Sequence, residues 1–220
     1  MNFRTIFNAL LTNKNHLLWC PTCMVPAAVY RDVGTYRNKE FLNTSDLEMY
    51  LRISRKYDIG ILEDYLIRYR QGHGNSAQRY HHLRVEPERF FRIMDLYLEQ
   101  GGRELTTATA MAAYEAHRSE DLLMRAVSLY ILNRRVEARG FLGRISVAKI
   151  TGSPRIQRWR LLVLFLAMGI LVRLPRVPLL AGLFYERWQV KYQNKKSLAR
   201  ILFTSWGDPL VTMGEKGLQR

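Results

Sequence analysis

The sequence predicts a mainly α chain with a few short strands, and three observations carry that prediction. Apolar residues recur at three- and four-residue spacing over most of the 220 residues, the period of helices that bury one face. Start and stop signals punctuate these runs at Gly34, Ser45 and Gly101-Gly102. Extended-type stretches are brief, near Leu17–Val25, Ile59–Leu62 and Tyr65–Tyr69. With 48% apolar and 24% charged residues, the composition is that of a globular chain and excludes disordered, collagen-like and disulfide-framework classes.

The first helix is set by Phe3, Ile6, Phe7, Leu10 and Leu11, and the polar run Thr12 to Asn15 ends it. A strand is expected from Leu17 through Val25, closed by Pro26. Ala27 to Val33 reads as a short helix stopped by Gly34, which suits the backbone just past a helix end. Ser45-Asp46-Leu47-Glu48 has capping-box form, with Ser45 as the cap and Glu48 reaching back to its amide. The helix after it should run to about Tyr57, with Leu47, Tyr50, Leu51 and Ser54 on one face. Gln71 to Ser76 is a turn-rich loop, and a long helix is expected over Ala77 to Glu99.

Gly101-Gly102 is the clearest boundary, since paired glycines free the chain to turn. Beyond it helical spacing covers about Glu104 to His117, Glu120 to Leu132 and Arg135 to Lys149. The spacing of Ala126, Leu129, Tyr130, Ala138 and Leu142 suggests one helix-turn-helix pair. Leu161 to Val172 is a run of twelve apolar or glycine residues bounded by Arg158, Arg160 and Arg173. Leu174 to Pro178 interrupts it before Leu179 to Tyr185 turns apolar again. A spanning helix needs about 20 apolar residues, and an arginine at the bilayer centre costs at least ~2.5 kcal/mol.

Charge is the compositional anomaly: 34 Lys and Arg against 19 Asp and Glu give +15. From Thr151 to Arg220 there are twelve basic and three acidic residues, so more than half of the excess lies in the last third. Anionic partners follow, whether lipid head groups, phosphorylated substrates or nucleic acid. The two cysteines and a start without a secretory leader pattern lead us to expect a reducing, cytoplasmic setting.

Several residues could carry chemistry, each with a plainer alternative. Cys20-Pro21-Thr22-Cys23 has redox spacing, but Pro26 disfavours a helix running on from the thiols. With His16 the pair gives three ligands, short of a closed zinc set, so burial of both cysteines in a strand is the expectation. Asp46 at a helix start either compensates the helix dipole or acts as a general base fixed on a rigid element; position alone favours the first. His73 in the glycine-rich loop is either solvent-exposed or a metal or phosphate contact near Arg68, Arg70 and Arg79. His81 and His82 point in divergent directions if helical.

Six segments in order carry a resemblance: Cys20-Pro-Thr-Cys-Met-Val-Pro26, Val29-Tyr-Arg-Asp-Val-Gly34, Asn43-Thr-Ser-Asp-Leu-Glu-Met-Tyr-Leu-Arg52, Ile59-Gly-Ile-Leu-Glu63, Leu66-Ile-Arg-Tyr-Arg70 and His73-Gly-Asn-Ser-Ala-Gln78. Over some 80 residues, Leu18 to Tyr97, this order resembles the second, acceptor-side half of family 2 glycosyltransferases of the GT-A fold. The resemblance implies a partial GT-A α/β domain over 1–100, a helical region over 101–153 and a basic, apolar, membrane-proximal segment over 154–220. It implies Asp46 as the base of an inverting transfer, with Glu48 as a substitute. It also implies that Arg70 and His73 contact the donor diphosphate, with His73 a candidate metal ligand. A divalent metal, Mg or Mn, and a nucleotide-sugar donor are implied by the resemblance alone. The family's nucleotide-binding half and its Asp-x-Asp motif have no counterpart in the chain, so a truncated or split transferase is expected, inactive by itself, with a separate chain as the possible source of the donor half.

Two functions follow as expectations. The first is a glycosyltransferase-related protein, peripheral at the inner face of a membrane, using a polysaccharide, lipid or protein acceptor. Arg158, Arg160, Arg173, Arg176 and Arg187 would then contact anionic head groups, against the alternative of a buried helix with a solvated basic face. The second is a non-enzymatic basic helical module binding nucleic acid or anionic lipid. Nucleic acid is the weaker partner, because no recognisable nucleic-acid-binding signature accompanies Arg187-Trp188, Lys191-Tyr192 and Lys195-Lys196.

Overall fold

The computed structural model describes residues 1–14, 18, 20–62, 64, 83–151, 158–175 and 178–186. Among them the chain is mainly helical and contains no strand. It divides into two compact units, residues 1–70 with 81–175, and 71–80 with 176–220.

The first unit opens with α1 (Phe3–Asn13), capped by the Asn2 side chain, which accepts from the Thr5 amide at 3.0 Å. All five residues expected on its inner face are buried. A single turn of tight helix over Cys20–Thr22 stands where a strand is expected, followed by α2 (Ala27–Val33) and the one-turn α3 (Asn38–Phe41). Gly34 ends α2 at φ 84° and ψ 177°, a backbone region open essentially to glycine alone. Then comes α4 (Ser45–Ser54), entered through a tight turn over Leu42–Thr44. Leu47, Tyr50, Leu51 and Ser54, the expected inner face, are all buried.

The absent strands have a physical cause. A strand is stable only with a partner to take its backbone hydrogen bonds; Ile59 exchanges backbone bonds with Met1, and α1 begins two residues later at Phe3, so among the described residues the pairing does not extend into a ladder. Tyr65–Tyr69 lies outside the described residues. The two cysteines are likewise not in a buried strand: Cys20 is exposed and Cys23 half-buried.

Of the helix expected over Ala77 to Glu99, residues 77–82 lie outside the described residues, 83–88 are not helical, and α5 spans Arg89–Glu99. Pro87 lacks an amide and pushes Glu86 toward extended backbone, which blocks a helix from running through. Ion pairs tie this non-helical stretch down: Lys14–Glu88 at 2.7 Å, Arg84–Glu88 at 3.0 Å and Arg84 to the buried Asp121 at 2.6 Å. After α5 the chain turns at Gly101 and forms a tight helix over Gly102–Leu105. A side chain at Gly102 would put a Cβ 2.4 Å from the Tyr97 carbonyl oxygen. This turn lies inside one packed unit, because α1 packs on the next helix across it.

That helix, α6 (Ala108–Ile131), runs unbroken through the expected gap near Arg118-Ser119. No glycine or proline interrupts it there, and Ser119 bonds back to the Glu115 carbonyl at 3.0 Å. A turn with Asn133 at φ 61° leads to α7 (Arg135–Leu142). Ala126, Leu129, Tyr130, Ala138 and Leu142 are buried where α6 and α7 pack together, as their spacing predicts. The expected third helix is divided at Gly143 to Ser146 into α7 and α8 (Val147–Thr151), and α9 (Arg158–Leu171) packs against α6, α7 and α8. The main core joins Phe3, Phe7 and Leu10 of α1 to Leu47 and Leu51 of α4, Phe91, Met94 and Tyr97 of α5, and Tyr114 of α6. In the second unit, a helix over 178–186 begins at Pro178, where a missing amide costs nothing.

Candidate functional site

Two carboxylates sit in the first turn of α4, and the fold treats them differently. Ser45 is already helical, at φ −65° and ψ −25°, whereas a capping residue needs extended backbone. The capping box therefore does not form. The Ser45 hydroxyl instead donates to Asn38 Oδ1 at 2.6 Å, holding α3 against the start of α4.

Released from the cap, Glu48 points into the protein and is 1% exposed. Arg52, one turn on, donates to both of its oxygens at 3.1 Å. Arg37 lies at 3.6 Å, and the Tyr97 hydroxyl donates to Oε1 at 3.3 Å. Burial first, and then the Glu48 charge, push the Tyr97 phenol up from its ordinary value. Arg52 also donates to the carbonyls of Val33 and Thr35. A Cβ on Gly34 would come within 3.2 Å of the Arg52 guanidinium, so glycine here both permits the turn and leaves room for the arginine. Glu48 and Arg52 are thus a buried pair that fastens α2 to α4.

Asp46 is left in a different condition. It is half-buried, its Oδ1 accepts from the Leu47 amide at 2.8 Å, and no cation pairs with it among the described residues. A carboxylate at a helix start gains from the helix dipole. Of the two carboxylates, Glu48 is engaged by Arg52 and Tyr97, and Asp46 is bonded to the Leu47 amide alone among the described residues.

The other expected site residues separate into described and undescribed. Arg70, His73, Arg176 and Arg187 lie outside the described residues, and Arg158 is described only as the start of α9. No three His, Cys, Asp or Glu side chains gather as a metal set among the described residues. A surface groove of about 500 Å³ lies between Arg4, Arg55, Lys56, Tyr57 and Gln100. It adjoins the far end of α4, about 12 Å along the helix from Asp46, and contains none of the expected site residues.

Helix α9 has an unusual surface. Met168 is buried, while Trp159, Val163, Leu166 and Ile170 are exposed. Their spacing follows helical periodicity, so they form one apolar stripe. Arg160, stacked at 5.4 Å over the Trp159 ring, flanks one end, and exposed Arg173 the other. Sequence alone gives the apolar run but not which face is left uncovered. No helix among the described residues is long and apolar enough to cross a membrane; α9, with 14 residues, reaches about 21 Å against a hydrocarbon core of about 30 Å.

Comparison with protein-family models, with characterised proteins and with solved structures finds no match.

Proposed function

We propose that this chain is the acceptor-side part of a family 2-type glycosyltransferase that works against an anionic membrane surface, with Asp46 as its base. The division of work in the first turn of α4 carries the reading: Glu48 is committed to Arg52 and Tyr97, and Asp46 is not committed to any described cation. In the transfer, Asp46 takes the proton of an acceptor hydroxyl as its oxygen bonds to the sugar carbon and the bond from that carbon to the nucleotide diphosphate breaks. Arg70 and His73 are assigned to the diphosphate on the resemblance, which also implies a divalent metal, Mg or Mn. The α9 stripe between Arg160 and Arg173 supports the membrane location, since apolar side chains enter the head-group boundary while arginines pair with lipid phosphates.

The test combines the chain with a separately expressed nucleotide-binding half of a family 2 transferase, nucleotide sugars and lipid-linked acceptors. The chain alone should give no transfer. The mixture should, and Asp46→Asn should lower its rate by about 10²- to 10⁴-fold, the usual weight of a general base. Transfer by the chain alone, or full activity of Asp46→Asn in an active mixture, would overturn the proposal. Flotation with vesicles tests the location: binding to anionic but not zwitterionic vesicles is expected, and binding to neither defeats it.

A further inference from the structure

The transferase reading leaves Cys20-Pro21-Thr22-Cys23 unused, and the structure gives this segment a definite shape. Pro21 presets the backbone for the second position of a tight turn, and the Cys23 amide closes the turn on the Cys20 carbonyl at 3.3 Å. Such a turn brings its end Cα atoms within about 7 Å, and disulfides span about 4.4–6.8 Å. Neither cysteine is in a disulfide; Cys20 is exposed and Cys23 half-buried.

Packing anchors the second cysteine of the pair. Cys23 lies against the outer face of α4, in a cluster of Met49, Tyr50 and Ile53 with Val29, Tyr30 and Tyr36. Burial first, and then the neighbouring Cys23, Tyr36 and Cys20, raise the Tyr50 phenol above its ordinary value. The closed turn is what brings the two residues together. No long helix follows directly from the thiols, because Pro26 intervenes before α2; the geometry is that of a small closable ring and lacks the helix start of a dithiol oxidoreductase.

We propose that Cys20 and Cys23 are a modification site: a reversible intramolecular disulfide formed by exchange with a small-molecule disulfide of the glutathione class. The Cys20 thiolate, the accessible one, bonds to one sulfur of the reagent as its S–S bond breaks and one thiol leaves. The Cys23 thiolate then attacks the Cys20 sulfur of that mixed disulfide and expels the second thiol. Two protein thiols are oxidised and one disulfide is reduced to two small thiols. The product fixes the turn that rests on α4, the helix that carries Asp46 at its start.

The test is intact-mass analysis of the reduced chain treated with oxidised glutathione. Wild type should lose two hydrogen atoms and retain no glutathionyl group, and dithiothreitol should restore the starting mass. Cys23→Ser should keep one stable glutathionyl group on Cys20. Cys20→Ser should acquire its adduct roughly tenfold more slowly, because attack requires access. Should either variant fail to fold, peptide mapping of oxidised wild type gives the linkage directly. A persistent glutathionyl adduct on wild type, or a disulfide linking two chains in place of the ring, would overturn the proposal.

Discussion

Exchanging each α4 carboxylate for its amide separates the two roles assigned to them. Glu48→Gln keeps the side-chain shape but removes a charge that is 1% exposed and bonded to Arg52 at 3.1 Å through both oxygens. Breaking a buried pair by removing one partner costs about 3–5 kcal/mol when the other charge is stranded. Arg52 is not wholly stranded: its side chain is 15% exposed and it keeps the Val33 and Thr35 carbonyls. The expected loss is therefore about 2–3 kcal/mol, with neutral hydrogen bonds to glutamine recovering part of the charge-assisted ones. For a chain of this size that lowers Tm by about 4–12 °C. Asp46→Asn retains an acceptor for the Leu47 amide and loses only a helix-start charge, at most ~1 kcal/mol. Thermal unfolding followed by circular dichroism measures both. Equal destabilisation by the two variants, or a larger loss for Asp46→Asn, would refute the assignment of Glu48 to the fold and Asp46 to chemistry.

Gly102→Ala should destabilise by about 1–3 kcal/mol, because the new Cβ meets a backbone oxygen at 2.4 Å that cannot swing aside; urea unfolding measures it, and a neutral result would refute the packing of that turn. Alkaline pH should unfold the protein. Tyr36 is pushed up to about 12 and Tyr50, Tyr97 and Tyr114 are raised further, burial being the first cause in each. Below the unfolded phenol value near 10 their contribution is intact, and it is lost as pH rises toward the folded values. Phenolate absorbance during a pH titration should show tyrosines that ionise late and together with unfolding; ionisation of all tyrosines near pH 10 with the fold intact would contradict it. Replacing Trp159 and Leu166 by serine should weaken binding to anionic vesicles by tenfold or more, as two apolar side chains of ~1.5–3 kcal/mol each leave the interface, without lowering Tm, since both are exposed. Unchanged vesicle affinity would remove the stripe from the proposed membrane contact.

What the sequence by itself determined follows from local physics. The inner faces of α1 and α4, the stop at Gly34, the turn at Gly101-Gly102 and the α6–α7 pairing are written in spacing and in residues with restricted or unusually free backbones. Neighbours along the chain suffice to produce that periodicity and those stops. The tertiary structure alone decided the rest. Whether Ile59–Leu62 becomes a strand depends on a partner that no local signal supplies. Whether Glu48 caps a helix or pairs with Arg52 depends on the helical entry through Leu42–Thr44 and on Tyr97 and Arg37 lying against its carboxylate. Whether a fully apolar run is core or surface depends on which side its neighbours cover, and for α9 they leave Trp159, Val163, Leu166 and Ile170 in the open. Each of these is a contact between residues far apart in sequence, and so the roles of Asp46, Glu48 and the α9 stripe become distinct only when the chain is folded.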